Sequence, residues 1–201
     1  MLPATMEREK LTQEKLTTFC ELLRSNYRQI KHLIGTERTN VDKTLTKAVR
    51  YDLLDGSGIS TRSAIYTSEQ IEQILIECLN EINDRLVATG RLVSTLVEDH
   101  QKLLQAYRNL EEASRKLDWS RTESELISGT SRQKSLEYHL REGYRIVHQL
   151  NGLVIRIKFT FNAVEVREAA SIERFRDCLK ISEDLDQYLQ DFLTYTVFMG
   201  K

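Results

Sequence analysis

Residues Leu75 to Leu117 read LIECLNEINDRLVATGRLVSTLVEDHQKLLQAYRNLEEASRKL, and along them an apolar side chain returns every three or four positions. Leu75, Leu79, Ile82, Leu86, Val93, Leu96, Leu103, Tyr107, Leu110 and Leu117 form the stripe, which only Thr89, His100 and Ser114 interrupt. Steps of three and four keep side chains on one side of a helix, so the spacing predicts a helix of about fifty residues with one face built to meet another helix. Thr67 followed by Gln70 has the spacing of a capping box and sets its start; Ser120 with Glu123 offers another start just beyond Trp119.

A second stripe comes later in Leu136, Leu140, Val147, Leu150, Val154, Ile157, Phe161 and Val164, with Gly143 in the seam where a neighbouring backbone can come close. Part of it has a rival reading. Ile155, Ile157, Phe159 and Phe161 alternate with Arg156, Lys158 and Thr160, which is the period of a strand. A helix is the simpler choice, because one strand finds nothing else in the chain to pair with. Two long helices are therefore expected, from about residue 68 to 119 and from about residue 131 to 170, paired antiparallel.

Outside them, Leu16, Phe19, Leu23, Ile30 and Leu33 predict a first helix from Thr5 to Ile34, with Asn26 as its polar interruption and Gly35 as its end. Asn40 is the expected N-cap of a shorter helix to Leu54 carrying Val41, Leu45, Val49 and Leu53. Glycines and hydroxyl side chains between Asp55 and Ser68 read as a linker, and Ser128-Gly129-Thr130 as a turn, with Thr130 and Gln133 capping the second long helix. Cys178, Ile181, Leu185, Tyr188, Phe192, Tyr195 and Met199 form a last stripe. The expected fold is all-α, an elongated helical bundle or antiparallel coiled coil: N-terminal helices in residues 1–54, a linker in 55–68 and a long-helix bundle in 69–201.

Composition narrows function mainly by exclusion. With 40% apolar and 29% charged residues and a single proline, Pro3, the chain can bury a core and build long helices. A formal charge of -1, with acids and bases interleaved, lacks the electrostatic footprint of a nucleic-acid binder. The cluster Arg132, Lys134, Arg141 and Arg145 is offset by Glu137 and Glu142 and reads as a solvated helix face. Cys20, Cys78 and Cys178 are odd in number and widely spaced, and none of the seven asparagines begins a glycosylation acceptor, so a reducing, cytoplasmic setting is expected. The most apolar stretch, Leu150 to Val164, holds Arg156 and Lys158 and is too short to span a bilayer, so no membrane span is expected.

Catalytic and metal chemistry has no template. A four-helix carboxylate metal site needs Glu three residues before His, and those positions hold Gln29, Val97, Leu136 and Arg145. His139 with Glu142 has helical spacing for a metal but reads as a surface hydrogen bond. No phosphate loop, nucleophile elbow or Cys-x-x-Cys pair is present. No catalytic residue, cofactor or metal ligand is therefore assigned. The site residues expected are an interaction seam of Leu75, Leu79, Ile82, Leu86, Val93, Leu96, His100, Leu103, Tyr107 and Leu110, and a second seam of Leu136, Leu140, Val147, Leu150, Val154, Ile157 and Phe161. His100, within the first seam, is read as a register-setting polar layer or a pH-dependent contact.

Gln70-Ile71-Glu72-Gln73-Ile74-Leu75, then Lys102-Leu103-Leu104-Gln105-Ala106-Tyr107 and the Arg/Glu-rich Ser120 to Leu126, resemble the N-terminal helical region of a Golgi Q-SNARE over about sixty residues. The resemblance implies helices that precede a SNARE helix and a membrane anchor, and a role in vesicle trafficking. The seam from Leu136 to Val164 lacks the glutamine that such a helix carries in its central layer, so fusion activity is not implied. The expected function is a non-catalytic scaffold or adaptor subunit of a cytoplasmic complex, bound to other helical proteins through coiled-coil contacts, with a SNARE-like or tethering role in trafficking as the alternative.

Overall fold

A computed structural model of the chain describes residues 4–56, 67–121, 123–131 and 133–196. Of the expected linker 55–68, residues 57–66 lie outside the described residues, as do Arg132 and the apolar end from Val197 to Met199. The fold is all-α: among the described residues none lies in a strand and 85% lie in helices. In order these are α1 (Ala4–His32), a π-helical turn (Leu33–Glu37), α2 (Arg38–Gly56), α3 (Ser68–Ser114), α4 (Glu125–Ser128), α5 (Leu136–Asn162), α6 (Ala169–Cys178) and α7 (Glu183–Tyr195).

Local chemistry accounts for several of these boundaries. At the start of α3 the Thr67 amide donates to Gln70 Oε1 at 2.9 Å and the Gln70 amide donates to Thr67 Oγ1 at 3.3 Å, the reciprocal pair expected. Gly35 does not end the first helix. It keeps a negative φ inside the π-helical turn, which carries the backbone from α1 into α2 without a break. Asn40 is consequently no N-cap, and its side-chain amide donates to Glu37 at 3.0 Å. The alternation in 155–161 is helical, as part of α5. That helix starts later than Thr130 and Gln133 suggested, at Leu136, and just before it the Ser135 Oγ accepts from the Tyr138 amide. The Thr130–Gln133 pair closes the preceding turn instead, with Gln133 N to Thr130 Oγ1 at 3.0 Å. Gly129 occupies φ 80° there, and a Cβ at this position would sit 2.8 Å from the Ser135 nitrogen, so only glycine fits.

Contacts divide the chain into two units that interleave along the sequence: Met1–Gln29, Glu98–Val154 and Ile181–Lys201 form the first, Ile30–Val97 and Ile155–Lys180 the second. The first is an up-and-down four-helix bundle. Arg8 donates to the Lys116 carbonyl and His100 pairs with Asn26, so α1 and α3 run antiparallel. The Tyr107 hydroxyl donates to the Leu140 carbonyl at 2.9 Å, and Tyr138 stacks on Phe192, fixing α5 against α3 and α7 against α5. Phe19, Leu23, Leu103, Leu110, Leu136, Ile146 and Leu150 are fully buried at its centre. Burial of that many large apolar side chains, each about 1.5 to 3 kcal/mol, is the main term holding the four helices together.

In the second unit α2 lies antiparallel to the first part of α3, tied by Lys47 to Glu81 at 3.0 Å and by Thr89 to Glu37 at 2.8 Å. Phe161 of α5 meets Phe175 of α6 edge-on at 5.2 Å, and Arg176 of α6 lies 3.9 Å from Asp42 of α2. The buried stripe of α2 is Val41, Thr44, Ala48 and Tyr51, whereas Val49 and Leu53, expected inside, are 44% and 61% exposed. Steps of three and four select a face that rotates slowly around the helix, and the unbroken steps of four from Val41 to Leu53 drift off it.

Candidate functional site

The two expected seams are core. Ile82, Leu86, Val93 and Leu96 are buried inside the second unit, and His100, Leu103, Tyr107 and Leu110 inside the first. Leu75 and Leu79 are only half-buried; the covered residues at that end of α3 are Ile71 and Cys78, one position off the stripe that leucine spacing suggested. Of the second seam, Leu136, Val147, Leu150, Val154 and Ile157 are buried, while Leu140 and Phe161 are half-buried. All this burial comes from the chain's own helices. Apolar stripes on α1, α2, α5 and α7 supply the opposing surface within each unit.

The polar interruptions of the long stripe find internal partners as well. Thr89 donates to Glu37, a carboxylate that is 4% exposed and that the π-helical turn brings to the interface. His100 Nδ1 lies 3.3 Å from Asn26 Oδ1, so the polar interruptions of α1 and α3 meet in one layer of the bundle. Burial pulls the His100 ring below the usual histidine range, and the Asn151 side chain partly opposes that pull. Ser114 closes onto the Glu111 carbonyl of its own helix and its carbonyl accepts from Trp119 Nε1 at 3.1 Å, so Trp119 anchors the end of α3.

His139 differs most from expectation. It is not a surface group: its exposure is 0%, neither ring nitrogen has an ordinary hydrogen bond, and the rings of Tyr138 and Phe192 pack edge-on at 5.6 Å. Desolvation lowers its pKa to about 4, with only the Lys134 backbone acting against it. The neighbouring Glu142 carboxylate turns to Tyr188, Arg141 and Arg145 instead; the Tyr188 hydrogen bond foremost, then Arg141, hold its pKa below the usual carboxylate range. Cys20 is buried too, and burial pushes its thiol up to about 12. Among the described residues no three His, Cys, Asp or Glu side chains stand together as metal ligands.

Surface clefts of the first unit are shallow and internally paired. One of 490 Å³ is lined by Met6, Glu9, Gln13, Arg121, Ser124 and Leu126, and Arg121 bridges it to Glu9 at 3.2 Å. Another of 350 Å³ lies between Arg24, Tyr27 and Gln190, where Tyr27 donates to Asp186 and Arg24 to Thr196. No known protein family, curated protein or solved structure matches the chain. Function therefore has to be read from the surface itself.

The most exposed large apolar side chain among the described residues lies in the second unit. Phe159 is 76% exposed and Ile155, one turn before it, 56% exposed, on a helix whose opposite face, Ile157, is completely covered. A single exposed apolar residue is ordinary; Ile155 and Phe159 form an adjacent aliphatic–aromatic pair left in water, as Val49 and Leu53 form an aliphatic pair on α2. Neither residue belongs to the expected seams, which take Ile157 and Phe161 from the strand-like alternation. Their spacing nonetheless carries the signal: residues two apart along a helix face nearly opposite ways, so Ile155-x-Ile157-x-Phe159-x-Phe161 gives a helix two apolar faces. In the first unit Tyr144, 58% exposed, stacks on His148 of the same helix. No helix among the described residues is long and apolar enough to cross a membrane.

Proposed function

We propose that this chain is a non-catalytic helical scaffold or adaptor subunit of a multiprotein complex, acting through helix-to-helix contacts. The observation that carries the reading is the water-facing pair Ile155 and Phe159 on a helix whose opposite face, at Ile157, is buried by its own chain. Large aromatic side chains in the middle of a patch are the residues on which binding energy concentrates. Support also comes from the polar layers Thr89–Glu37 and His100–Asn26, which fix helix register and so hold the outward faces in constant positions. A reducing compartment fits the odd number and wide spacing of Cys20, Cys78 and Cys178. The test is affinity purification of the full chain with identification of stoichiometric partners. Co-purification of a helical protein at a fixed ratio is the expected result. A bound metal or cofactor in the purified protein, with no partner, would replace this reading by an enzymatic one.

A further inference from the structure

We infer that the outer face of α5 around Ile155 and Phe159 docks an acidic amphipathic helix of a partner protein, a proposal that rests on the adaptor reading and names the partner's chemistry. At about 100° per residue, Phe159 lies about 40° from Ile155, while Arg156 and Lys158 fall about 100° to one side and about 60° to the other. The result is a short apolar ridge with a cation on each flank. Arg156, Lys158 and Phe159 are all exposed, and from Gly143 to Val164 the sequence holds no aspartate or glutamate. On the neighbouring α6, Glu173 and Asp177 are taken up by Arg176 at 3.1 Å each.

Charge decides between occupants. A second copy of this chain, docked about a two-fold axis, would set the same ridge against itself and bring Arg156 and Lys158 against their own kind without a carboxylate to meet them. A strand has no edge to pair with here, because a helix satisfies its own backbone. The occupant that fits is a helix that lays apolar side chains on Ile155 and Phe159 and carries glutamate or aspartate at its borders, meeting the two cations as flanking charges do in paired helices.

The probe is a synthetic helical peptide with a leucine seam flanked by glutamate, compared with the same seam flanked by lysine, titrated onto the full chain. Expected is binding of the glutamate peptide at least about tenfold tighter than the lysine peptide, weakening as salt is added. The double variant Ile155→Ser/Phe159→Ser should lose that binding while keeping its helical circular dichroism and melting temperature, and Arg156→Glu/Lys158→Glu should reverse the preference. Equal binding of both peptides, or binding that survives Ile155→Ser/Phe159→Ser, overturns the proposal. So does Phe159-dependent dimerisation in sedimentation, or Phe159-dependent association with phosphatidylserine vesicles when the glutamate peptide fails to bind. A stoichiometric cellular partner held equally by wild type and Ile155→Ser/Phe159→Ser overturns this surface yet leaves the adaptor reading standing. Recovery of no partner by either overturns both.

Discussion

His100 and His139 are both buried histidines of the first unit, yet they hold opposite positions in its energetics. His100 Nδ1 has Asn26 for company, whereas His139 is packed by aromatic rings with only the Lys134 backbone near and no ordinary hydrogen bond to either nitrogen. Replacing a buried polar group that makes no bond by an apolar one of similar size is close to neutral or stabilising, and removing one half of a bonded pair costs about 1 to 3 kcal/mol. His139→Leu is therefore expected to hold or raise the melting temperature at pH 7, and His100→Leu to lower it. The pH dependence has a definite sign. The folded-state pKa of His139, about 4, lies below the ordinary 6.5, so the folded chain binds fewer protons than the unfolded one between those values. Stability is complete above about pH 6.5 and drains as pH falls toward 4, by roughly 3 kcal/mol in all. Thermal melting from pH 7.5 down to 4 should show that decline in the wild type and a flatter one in His139→Leu; parallel curves would show that the ring is not dry. The sequence marked His100 as a polar member of a seam, but gave His139 no such mark, because its burial depends on α7 arriving from far along the chain.

At the scale of elements, α5 holds two glycines that ought to answer the same substitution in opposite ways. A Cβ on Gly143 would lie 3.1 Å from the Phe19 ring and 3.4 Å from Tyr107, and those rings are themselves locked edge-on at 5.4 Å. Gly152 faces open space. Glycine to alanine in a helix gains about 1 kcal/mol in propensity, and overpacking a filled core costs about 1 to 3 kcal/mol. Gly152→Ala should thus stabilise by up to about 1 kcal/mol and Gly143→Ala should destabilise by a similar amount, measured by urea unfolding. Gly143 was expected to admit a neighbouring backbone; it admits aromatic side chains. The elements themselves were largely legible from period and capping: α3 starts at its Thr67–Gln70 box, and α5 is helical despite its strand-like alternation. The joints between elements were not. Nothing local in Leu33–Glu37 announces a π-helical turn, since it exists to carry Glu37 to Thr89, a residue fifty-two positions away. Likewise, Val49 and Leu53 look like core in α2 until α3 and α6 choose a different face.

For the whole molecule, the long stripe on α3 changes meaning. As a sequence it advertises a partner; in the fold its two parts are consumed by two different units of one chain. Periodicity says that a face will be covered but not by what, because opposing stripes within the chain and on another chain carry the same pattern. The outward ridge of Ile155 and Phe159 lies outside both parts of that stripe. The direct test is urea unfolding of the isolated chain and of Leu96→Asp, each at widely separated protein concentrations. Leu96 is 2% exposed. An internal seam predicts a wild-type midpoint independent of concentration, as for a 23.4 kDa monomer, and a variant weakened by several kcal/mol through its buried, unpaired carboxylate. A midpoint that rises with concentration in the wild type, or a Leu96→Asp chain as stable as its parent, would mean that the seam belongs to another molecule.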